Sequence, residues 1–178
     1  GWPKTQVNCV AGDGRGGVWI GMHRGGLLHW QDGTLHRLEP RQGWSNSVIR
    51  ALFVDSRPDL WIGSESPYAL HRLHDGTFEP LPLPTGSRRI DAIAEDSAGT
   101  LWLGTLSGFL LRVQGNTISN FTTNALQPTR PIRALCSTPD GSLWIGYAGG
   151  GVGWLREGKF TQFGLDQGLP DDSICGIA

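Results

Sequence analysis

One pentapeptide occurs four times in the chain, and it restricts the possible folds more than any other feature. It reads VWIGM at 18–22, LWIGS at 60–64, LWLGT at 101–105 and LWIGY at 143–147. The tryptophans of these pentapeptides are 42, 41 and 42 residues apart, and they are Trp19, Trp61, Trp102 and Trp144. A fixed period of about 40 residues indicates a repeat architecture in which each repeat is one supersecondary unit.

The repeat extends beyond the pentapeptide. A β-branched residue stands twelve positions before each tryptophan, in the column Val7, Ile49, Ile90 and Ile132. A second apolar column follows three positions later, with Val10, Leu52, Ile93 and Leu135. A glycine stands two positions after each tryptophan, at Gly21, Gly63, Gly104 and Gly146. Turn-forming sequences such as DGRGG and QDGT separate the apolar runs, and each repeat therefore divides into four short segments.

Four short segments in each repeat predict four β-strands. Runs of about 4–8 residues bounded by Gly, Pro, Asn, Asp or Ser are typical of strands, and four strands in about 40–45 residues are typical of a β-propeller blade. We therefore expect an all-β chain, a β-propeller of four-stranded antiparallel blades, with about four blades and one extra inner strand. The predicted repeats span about 1–42, 43–84, 85–127 and 128–167, and a fifth begins at 168–178.

The repeated tryptophans and glycines are expected to be structural. Each tryptophan falls on the predicted second strand, where its ring would fill the space between neighbouring sheets and remove on the order of 150–250 Å² from water. The glycine two positions later lies on the same strand face, because side chains alternate along a strand. We expect this glycine to leave room for a neighbouring tryptophan or for a close backbone approach.

The pattern D-x-x-G-x-L-W-I-G-T-x-x-G-G-L, followed by G-x-F and then G-L-x-x-x-x-V/I, resembles the two-component regulator propeller repeat. The matching segments are DSAGTLWLGTLSGFLLR (96–112), PDGSLWIGYAGGGV (139–152), GRGGVWIGMHRGGLLHW (14–30) and GLPDDSICGI (168–177). The resemblance covers essentially the whole chain. In that family the propellers form the extracytoplasmic sensing region of membrane-bound sensor kinases, often hybrid ones. The resemblance implies a non-catalytic module for ligand sensing or interaction, periplasmic or otherwise extracytoplasmic, with no cofactor.

Two departures from the family pattern leave the ligand unspecified. The second repeat reads SESPYAL (64–70) where the family favours T-x-x-G-G-L. The fourth has Thr138 where the others have Asp13, Asp55 and Asp96, an aspartate column that we expect to cap turns. Because the loop after the pentapeptide differs in every repeat, the resemblance carries over no ligand.

One polar column is the best candidate for ligand binding. The residues directly after the first apolar column are Asn8, Arg50, Asp91 and Arg133, with Cys175 in the fifth repeat. In a propeller these positions surround the mouth of the central pocket, and the loop after each pentapeptide adds His23, Arg24, Glu65, Tyr68 and Tyr147. The arginines could hold carboxylates or phosphates, and Tyr68 could stack on a sugar. The alternative is that opposite charges in this column merely neutralise one another.

Motifs for catalysis and metal binding are absent from the sequence. It has no G-x-S-x-G, P-loop or H-E-x-x-H motif. His29 and His71 both stand ten positions after a tryptophan, where the other repeats have Arg112 and Trp154, and a varied surface column is expected there. We therefore predict no catalytic residue and no metal ligand. The alternatives are a propeller lyase of the streptogramin-inactivating type, which uses a histidine, acidic residues and a divalent metal, and a carbohydrate-binding scaffold.

The number of blades raises the question of partners. Propellers of this family usually have about seven blades, so the chain could be cut from a longer protein, pair with a second chain in a ring of about eight blades, or close with four. The lack of a signal peptide favours the first option. An open arc would expose a large apolar patch, which monomers avoid. We expect self-association or further blades of the same protein, with a small molecule or an oligosaccharide as a possible ligand.

The charge and the length of the apolar runs argue against nucleic acid and membranes as partners. The net charge is −1 and the pI about 6.6, so the chain lacks the basic surface of a nucleic-acid-binding protein. No apolar run approaches the roughly 18 residues that span a bilayer, and no membrane contact by this segment is expected.

The cysteines Cys9, Cys136 and Cys175 form no CxxC pair. Buried free thiols are expected, with a Cys9–Cys175 disulfide as the alternative.

Overall fold

The structure is a computed structural model, which describes residues 4–24, 26–38, 48–65, 68–122 and 130–177. Within these residues the strands form four antiparallel sheets of four strands each, and the strands of every sheet follow chain order. Each sheet, here called a blade, corresponds to one predicted repeat. The prediction of an all-β chain with four-stranded propeller blades is confirmed.

The first of two compact units contains blades one and two, together with Arg88–Ile90. Blade one consists of β1 (Val7–Gly12), β2 (Val18–Met22), β3 (Leu27–Gln31) and β4 (Thr34–Leu38). Blade two consists of β5 (Ile49–Val54), β6 (Leu60–Ser64), β7 (Leu70–His74) and β8 (Thr77–Pro80). Apolar side chains of both blades form one core cluster, which contains Leu27, Ile49, Leu60, Ile62 and Phe78, with Trp19 and Leu52 packed against it.

The second unit contains blade three from Asp91 onward and blade four, together with Pro84–Ser87. Blade three consists of β9 (Ile90–Glu95), β10 (Leu101–Thr105), β11 (Leu110–Gln114) and β12 (Thr117–Asn120). Blade four consists of β13 (Ile132–Ser137), β14 (Leu143–Tyr147), β15 (Val152–Arg156) and β16 (Lys159–Phe163), and a short 3-10 helix (Leu165–Gln167) follows it. The core cluster of this unit comprises Ala94, Trp102, Leu110, Ile132, Leu143, Ile145, Tyr147 and Leu155.

Each repeated tryptophan lies on the second strand of its blade, as predicted, but the four rings differ in their surroundings. Trp61 and Trp102 are buried, whereas Trp19 and Trp144 are partly exposed. Trp19 stacks on His29 with ring centroids 3.9 Å apart, and Trp144 stacks on Trp154 at 5.9 Å. The partly exposed rings therefore lie against aromatic neighbours within their own blade.

Each repeated glycine receives the leading apolar residue of the next repeat. A methyl group placed on Gly21 would lie 2.5 Å from Cγ2 of Ile49, and one placed on Gly63 would lie 2.9 Å from Cγ2 of Ile90. The same overlap occurs between Gly104 and Ile132 and between Gly146 and Ile174. We call the space above these four glycines the glycine sockets. The expected close approach is present, and a β-branched side chain fills each socket where the sequence suggested a tryptophan.

The prediction of a fifth inner strand is wrong for the described residues, which contain no strand after β16. The segment nevertheless reaches blade four. The backbone N–H of Ile174 donates to the carbonyl of Tyr147 at 2.8 Å, and the carbonyl of Asp172 accepts from Gly150 and Gly151 at 2.7 Å. Ile174 therefore occupies its repeat position in the Gly146 socket without belonging to a strand.

Blade two has one more residue between its second and third strands than the other blades, and this shifts the histidine column. Trp19 pairs with His29 across β2 and β3, whereas Trp61 pairs with Arg72 across β6 and β7. The prediction that His29 and His71 share a surface position is therefore wrong. His71 lies opposite Ile62 and is fully buried.

The three cysteines are free thiols. Cys9 and Cys136 are partly buried, as expected for inner-strand positions, whereas Cys175 is exposed. The expectation of burial is wrong for Cys175 because its segment lies outside a sheet. Among the helices that the structure describes, none is long and apolar enough to cross a membrane.

Candidate functional site

In three blades, the polar column predicted from the sequence falls on a β-bulge in the first strand of the blade. The pairing of β1 with β2 shifts register between Val7 and Cys9, so Asn8 is left without an opposite residue. The same shift leaves out Arg50 in β5 and Arg133 in β13. Such β-bulges bend a strand and redirect a side chain, and they are frequent next to functional sites. The three blades therefore place a redirected polar residue at the same position of the repeat.

In the first unit, Arg50 belongs to a compact cluster of charges. Its Nε and Nη2 donate to Oε1 of Glu65 at 2.9 and 2.6 Å, and Nη1 of Arg89 lies 3.4 Å from the same oxygen. Glu65 and Arg89 also pair through their backbones in an isolated antiparallel bridge. We call Arg50, Glu65 and Arg89 the Arg50 cluster. Its side chains are partly exposed, at 24%, 37% and 17%, so that solvent reaches two guanidinium groups sharing one carboxylate.

Sequence reasoning missed Arg89. This residue stands immediately before the leading apolar residue Ile90, where the other repeats have Gln6, Val48 and Pro131. A column comparison shows that an arginine occurs there only once. It does not reveal the backbone bridge to Glu65 that brings the two side chains together.

In the second unit, the polar column contains a charged pair, Arg133 and Asp91, whose atoms lie farther apart than those of Arg50 and Glu65. Nη1 of Arg133 lies 3.9 Å from Oδ2 of Asp91, which is at the limit of an ion pair. The Asp91 side chain is almost fully buried, whereas that of Arg133 is 41% exposed. A buried carboxylate is stabilised by a nearby cation, and Arg133 places its charge beside Asp91.

The other candidate residues of the first unit do not belong to the Arg50 cluster. The side-chain amide of Asn8 donates to the carbonyl of Ile49 at 2.8 Å, which ties blade one to the first strand of blade two. Tyr68 is half exposed, and its ring edge faces His71 at 6.1 Å. In the described part of the chain, no side chain of His23, Arg24 or Tyr68 hydrogen-bonds to the Arg50 cluster.

Tyr147 lies beside a polar cavity of about 360 Å³ in the second unit. The lining includes Arg130, Tyr147, Phe160, Gln162, Gln167 and Asp172. The amide of Gln162 is already engaged with the carbonyl of Gly150 at 2.6 Å. Burial raises the pKa of Tyr147 to about 12, so its phenol is protonated at neutral pH and available only as a neutral hydrogen-bonding group.

A second charged group lies at the other end of blade two. Oδ1 of buried Asp59 lies 2.6 Å from Nδ1 of His74, and Oδ2 lies 3.3 Å from Nε of Arg72. The hydrogen bond to Asp59 raises the pKa of His74, with further contributions from the charges of Asp59 and Asp75. Among the described residues, no three His, Cys, Asp or Glu side chains are grouped so as to hold a metal ion.

Comparison with known proteins gives one match to a family model. The family described as two component regulator propeller matches residues 83–107, which run from the end of blade two through β10. No curated protein matches the chain.

Solved structures with the same fold include parts of larger proteins from B. thetaiotaomicron. The extracellular domain of the proposed one component system BT4673 has a TM-score of 0.82 and 22% identity, and the match covers 100% of this chain and 26% of that chain. The extracellular domain of the proposed hybrid two component system BT3049 has a TM-score of 0.81 and 24% identity, over 99% of this chain and 25% of that chain. The chain thus spans about a quarter of the length of these two chains.

An enzyme also shares the fold. Virginiamycin B lyase from Staphylococcus aureus has a TM-score of 0.76 and 17% identity, and the match covers 90% of this chain and 56% of the lyase. At these identities the solved structures establish the propeller fold and nothing further. The family match confirms the resemblance to the two-component regulator propeller repeat over residues 83–107.

Proposed function

We propose that the chain is a non-catalytic sensing module of a two-component regulator and that it binds an anionic small molecule or acidic oligosaccharide at the Arg50 cluster. The family match and the likeness to extracellular domains of two component systems support a role in signalling and an extracytoplasmic location. The observation that carries the proposal is the pair of partly exposed guanidinium groups on one carboxylate.

The chemistry of this cluster suits a carboxylate or phosphate. Two N–H groups of Arg50 donate to Glu65, and Arg89 lies 3.4 Å from the same oxygen, so that two guanidinium groups meet at one carboxylate. Guanidinium groups bind carboxylates and phosphates through parallel hydrogen bonds. A ligand carboxylate would accept hydrogen bonds from the guanidinium N–H groups, and the β-bulge at Arg50 would direct that side chain toward it.

The enzymatic alternative has only the shared fold in its support. Virginiamycin B lyase has a similar propeller at 17% identity, and no arrangement of side chains in the described residues favours lyase chemistry over binding. A carbohydrate-binding scaffold without a signalling role would use the same surface. A genetic context without a signalling output domain would favour that scaffold.

Binding can be tested with a panel of neutral and uronate-containing oligosaccharides and with inorganic phosphate. A ligand that binds only the folded chain raises its thermal midpoint, and calorimetry then gives its affinity. We expect an acidic ligand to bind and Arg50→Ala or Arg89→Ala to weaken it by about tenfold or more, since a hydrogen bond to a charged group contributes about 1.5–3 kcal/mol. Arg156→Ala, which removes an exposed arginine paired with Asp140, is the matched control.

Two results would contradict the proposal. One is a panel in which no acidic compound shifts the midpoint of the wild-type chain. The other is an acidic ligand whose affinity is unchanged by both arginine substitutions and lowered by substitutions elsewhere.

A further inference from the structure

The residue three positions after the repeated tryptophan has a different role in blade four than in blades two and three. In blade two, Oγ of Ser64 donates to the carbonyl of Tyr68 at 2.7 Å. In blade three, Oγ1 of Thr105 accepts from the backbone N–H of Phe109 at 2.8 Å. These hydroxyl groups close the loop after the second strand. Blade four has Tyr147 at this position, and its hydroxyl has no hydrogen-bond partner among the described residues.

A glycine on the third strand makes room for the Tyr147 ring. Gly153 lies where the other blades have larger side chains, at Leu28, His71 and Leu111. A methyl group placed on Gly153 would lie 3.1 Å from Cε2 of Tyr147 and 2.6 Å from Cε2 of Phe160. The Tyr147 ring therefore packs on the glycine backbone, and the whole residue is only 4% exposed.

Tyr147 lines the polar cavity of about 360 Å³ described above, and every lining residue belongs to the second unit. Tyr147 also shares a core cluster with Trp102 and Leu110 of blade three. Because side chains alternate along a strand, the neighbouring Gly146 presents its socket on the opposite face of β14. The Tyr147 wall of the cavity therefore lies on the side of blade four that packs toward blade three.

Hydrogen bonds hold the walls of the cavity in place. The side-chain amide of Gln162 donates to the carbonyl of Gly150 at 2.6 Å, and Oε1 of Gln167 accepts from the N–H of Gly164 at 2.8 Å. The carbonyl of Asp172 accepts from the N–H of Gly150 at 2.7 Å. The loop after β14, strand β16 and the segment after it are thus tied together. A preformed cavity reduces the cost of ordering a site when a ligand binds.

Opposite charges line this cavity without neutralising one another. A methyl group placed on Gly149 would lie 3.1 Å from Nη1 of Arg130, so the guanidinium lies against the loop after β14. Arg130 is exposed and has no ion-pair partner among the described residues. Asp166 and Asp172 also line the cavity, and neither pairs with Arg130. Separated charges of this kind suit a ligand that carries both signs, because a guanidinium binds a carboxylate and a carboxylate binds an ammonium group.

We propose that this cavity binds a free α-amino acid, with the ligand carboxylate on Arg130, the ligand ammonium group on the two aspartates and a hydrogen bond from the Tyr147 hydroxyl. Small-molecule sites have volumes of about 300–1,000 Å³, and the cavity lies at the lower end of that range. The site uses no residue of the Arg50 cluster, so it goes beyond the proposed function and does not depend on it.

The test is ligand-detected NMR, followed by calorimetry, with the 178-residue chain and a panel of standard L-amino acids. Each amino acid that binds is compared with its N-acetyl derivative, which lacks the ammonium group, and with its carboxamide, which lacks the carboxylate. We expect at least one amino acid to bind. Both of its derivatives should bind at least about tenfold more weakly, because each loses a hydrogen bond between charged groups.

Two substitutions place the ligand in the cavity. Arg130→Gln should weaken binding by about tenfold or more, because it removes the charge that holds the carboxylate. Tyr147→Phe removes a single oxygen and should weaken binding by about threefold or more, as the loss of one neutral hydrogen bond does. Arg156→Gln, at another exposed arginine of blade four, and Tyr68→Phe, at the other tyrosine, are the matched controls and should leave binding unchanged.

Three results would overturn the proposal. The first is a panel in which no amino acid binds. The second is equal binding of the amino acid and both derivatives, which would show that the ligand charges are not recognised. The third is an affinity unchanged by both Arg130→Gln and Tyr147→Phe, which would place the contact on another surface. Circular dichroism confirms that each variant is folded, and the exposed Arg130 keeps the test decisive if Tyr147→Phe unfolds.

Discussion

The indole nitrogen of Trp61 donates a hydrogen bond of 2.9 Å to Oδ2 of Asp55, six positions earlier in the chain. The other oxygen of Asp55 accepts the backbone N–H groups of Arg57 and Asp59, both at 2.9 Å. Trp102 and Asp96 form the same arrangement in blade three. In blades two and three one carboxylate thus closes the turn between the first two strands and accepts from the indole, whereas Asp13 of blade one closes the same turn and pairs with His29.

Replacing Asp55 should destabilise the chain strongly. Asp55→Ala leaves three donors without their acceptor in a buried turn, and we expect it to lower the free energy of unfolding by about 3 kcal/mol, since each unsatisfied buried group costs about 1–3 kcal/mol. Urea denaturation followed by tryptophan fluorescence measures the loss. Asp166→Ala, at an exposed aspartate, is the control and should change stability by less than about 0.5 kcal/mol. A similar small loss for Asp55→Ala would show that the carboxylate is dispensable.

The glycine sockets predict which glycines tolerate a methyl group. Gly63→Ala would bring Cβ to 2.9 Å from both Cγ2 and the carbonyl oxygen of Ile90, and the backbone contact cannot be relieved by a rotamer change. We expect a loss of about 2–3 kcal/mol, as for other overpacked cores. Gly12→Ala is the matched strand control, because a Cβ there meets nothing within 4 Å. Equal stability of the two variants in thermal unfolding would contradict the socket.

The His74–Asp59 pair predicts a pH dependence of stability. Because the folded pKa of His74 is raised above its ordinary value of 6.5, its contribution is fully present below pH 6.5 and is lost as the pH rises through the folded pKa. Stability measured by urea denaturation should therefore decrease over that range. His74→Gln should remove this decrease, and Asp59→Asn should remove most of it.

Asp75→Asn provides the graded control for the same pair, because the charge of Asp75 contributes less to the His74 pKa than Asp59 does. NMR titration of the His74 ring reports the pKa directly. A profile that is as steep in His74→Gln as in the wild type would assign the pH dependence to another group.

Comparing the repeats position by position predicts features that recur in every repeat, and it misses contacts between residues far apart in the chain. Strand order and the positions of the four tryptophans follow from turn residues and period, because both are local properties that recur in every repeat. The buried position of His71 was missed, since the extra residue in the loop before β7 moves the counterpart of His29 from the tenth to the eleventh position after the tryptophan, where Arg72 stands. Arg89 was missed because its contact with Glu65 joins residues 24 positions apart. Such a contact depends on which strand ends meet in the fold, and comparing the repeats does not reveal this.

The cysteines should differ sharply in reactivity. Burial raises the pKa of the Cys9 thiol to about 12, so that at pH 8 only on the order of one molecule in ten thousand carries the reactive thiolate. Cys175 is exposed, and we expect iodoacetamide to label it first, as followed by mass spectrometry of peptides. Cys175→Ser should remove the fast phase of labelling, whereas Cys9→Ser should leave it intact.

All three cysteines should react in denaturant, since unfolding removes the burial that protects Cys9. Labelling of Cys9 in the native chain as fast as Cys175 would show that β1 opens readily, and a loss of two hydrogens from the unreduced mass would reveal a disulfide in place of the free thiols.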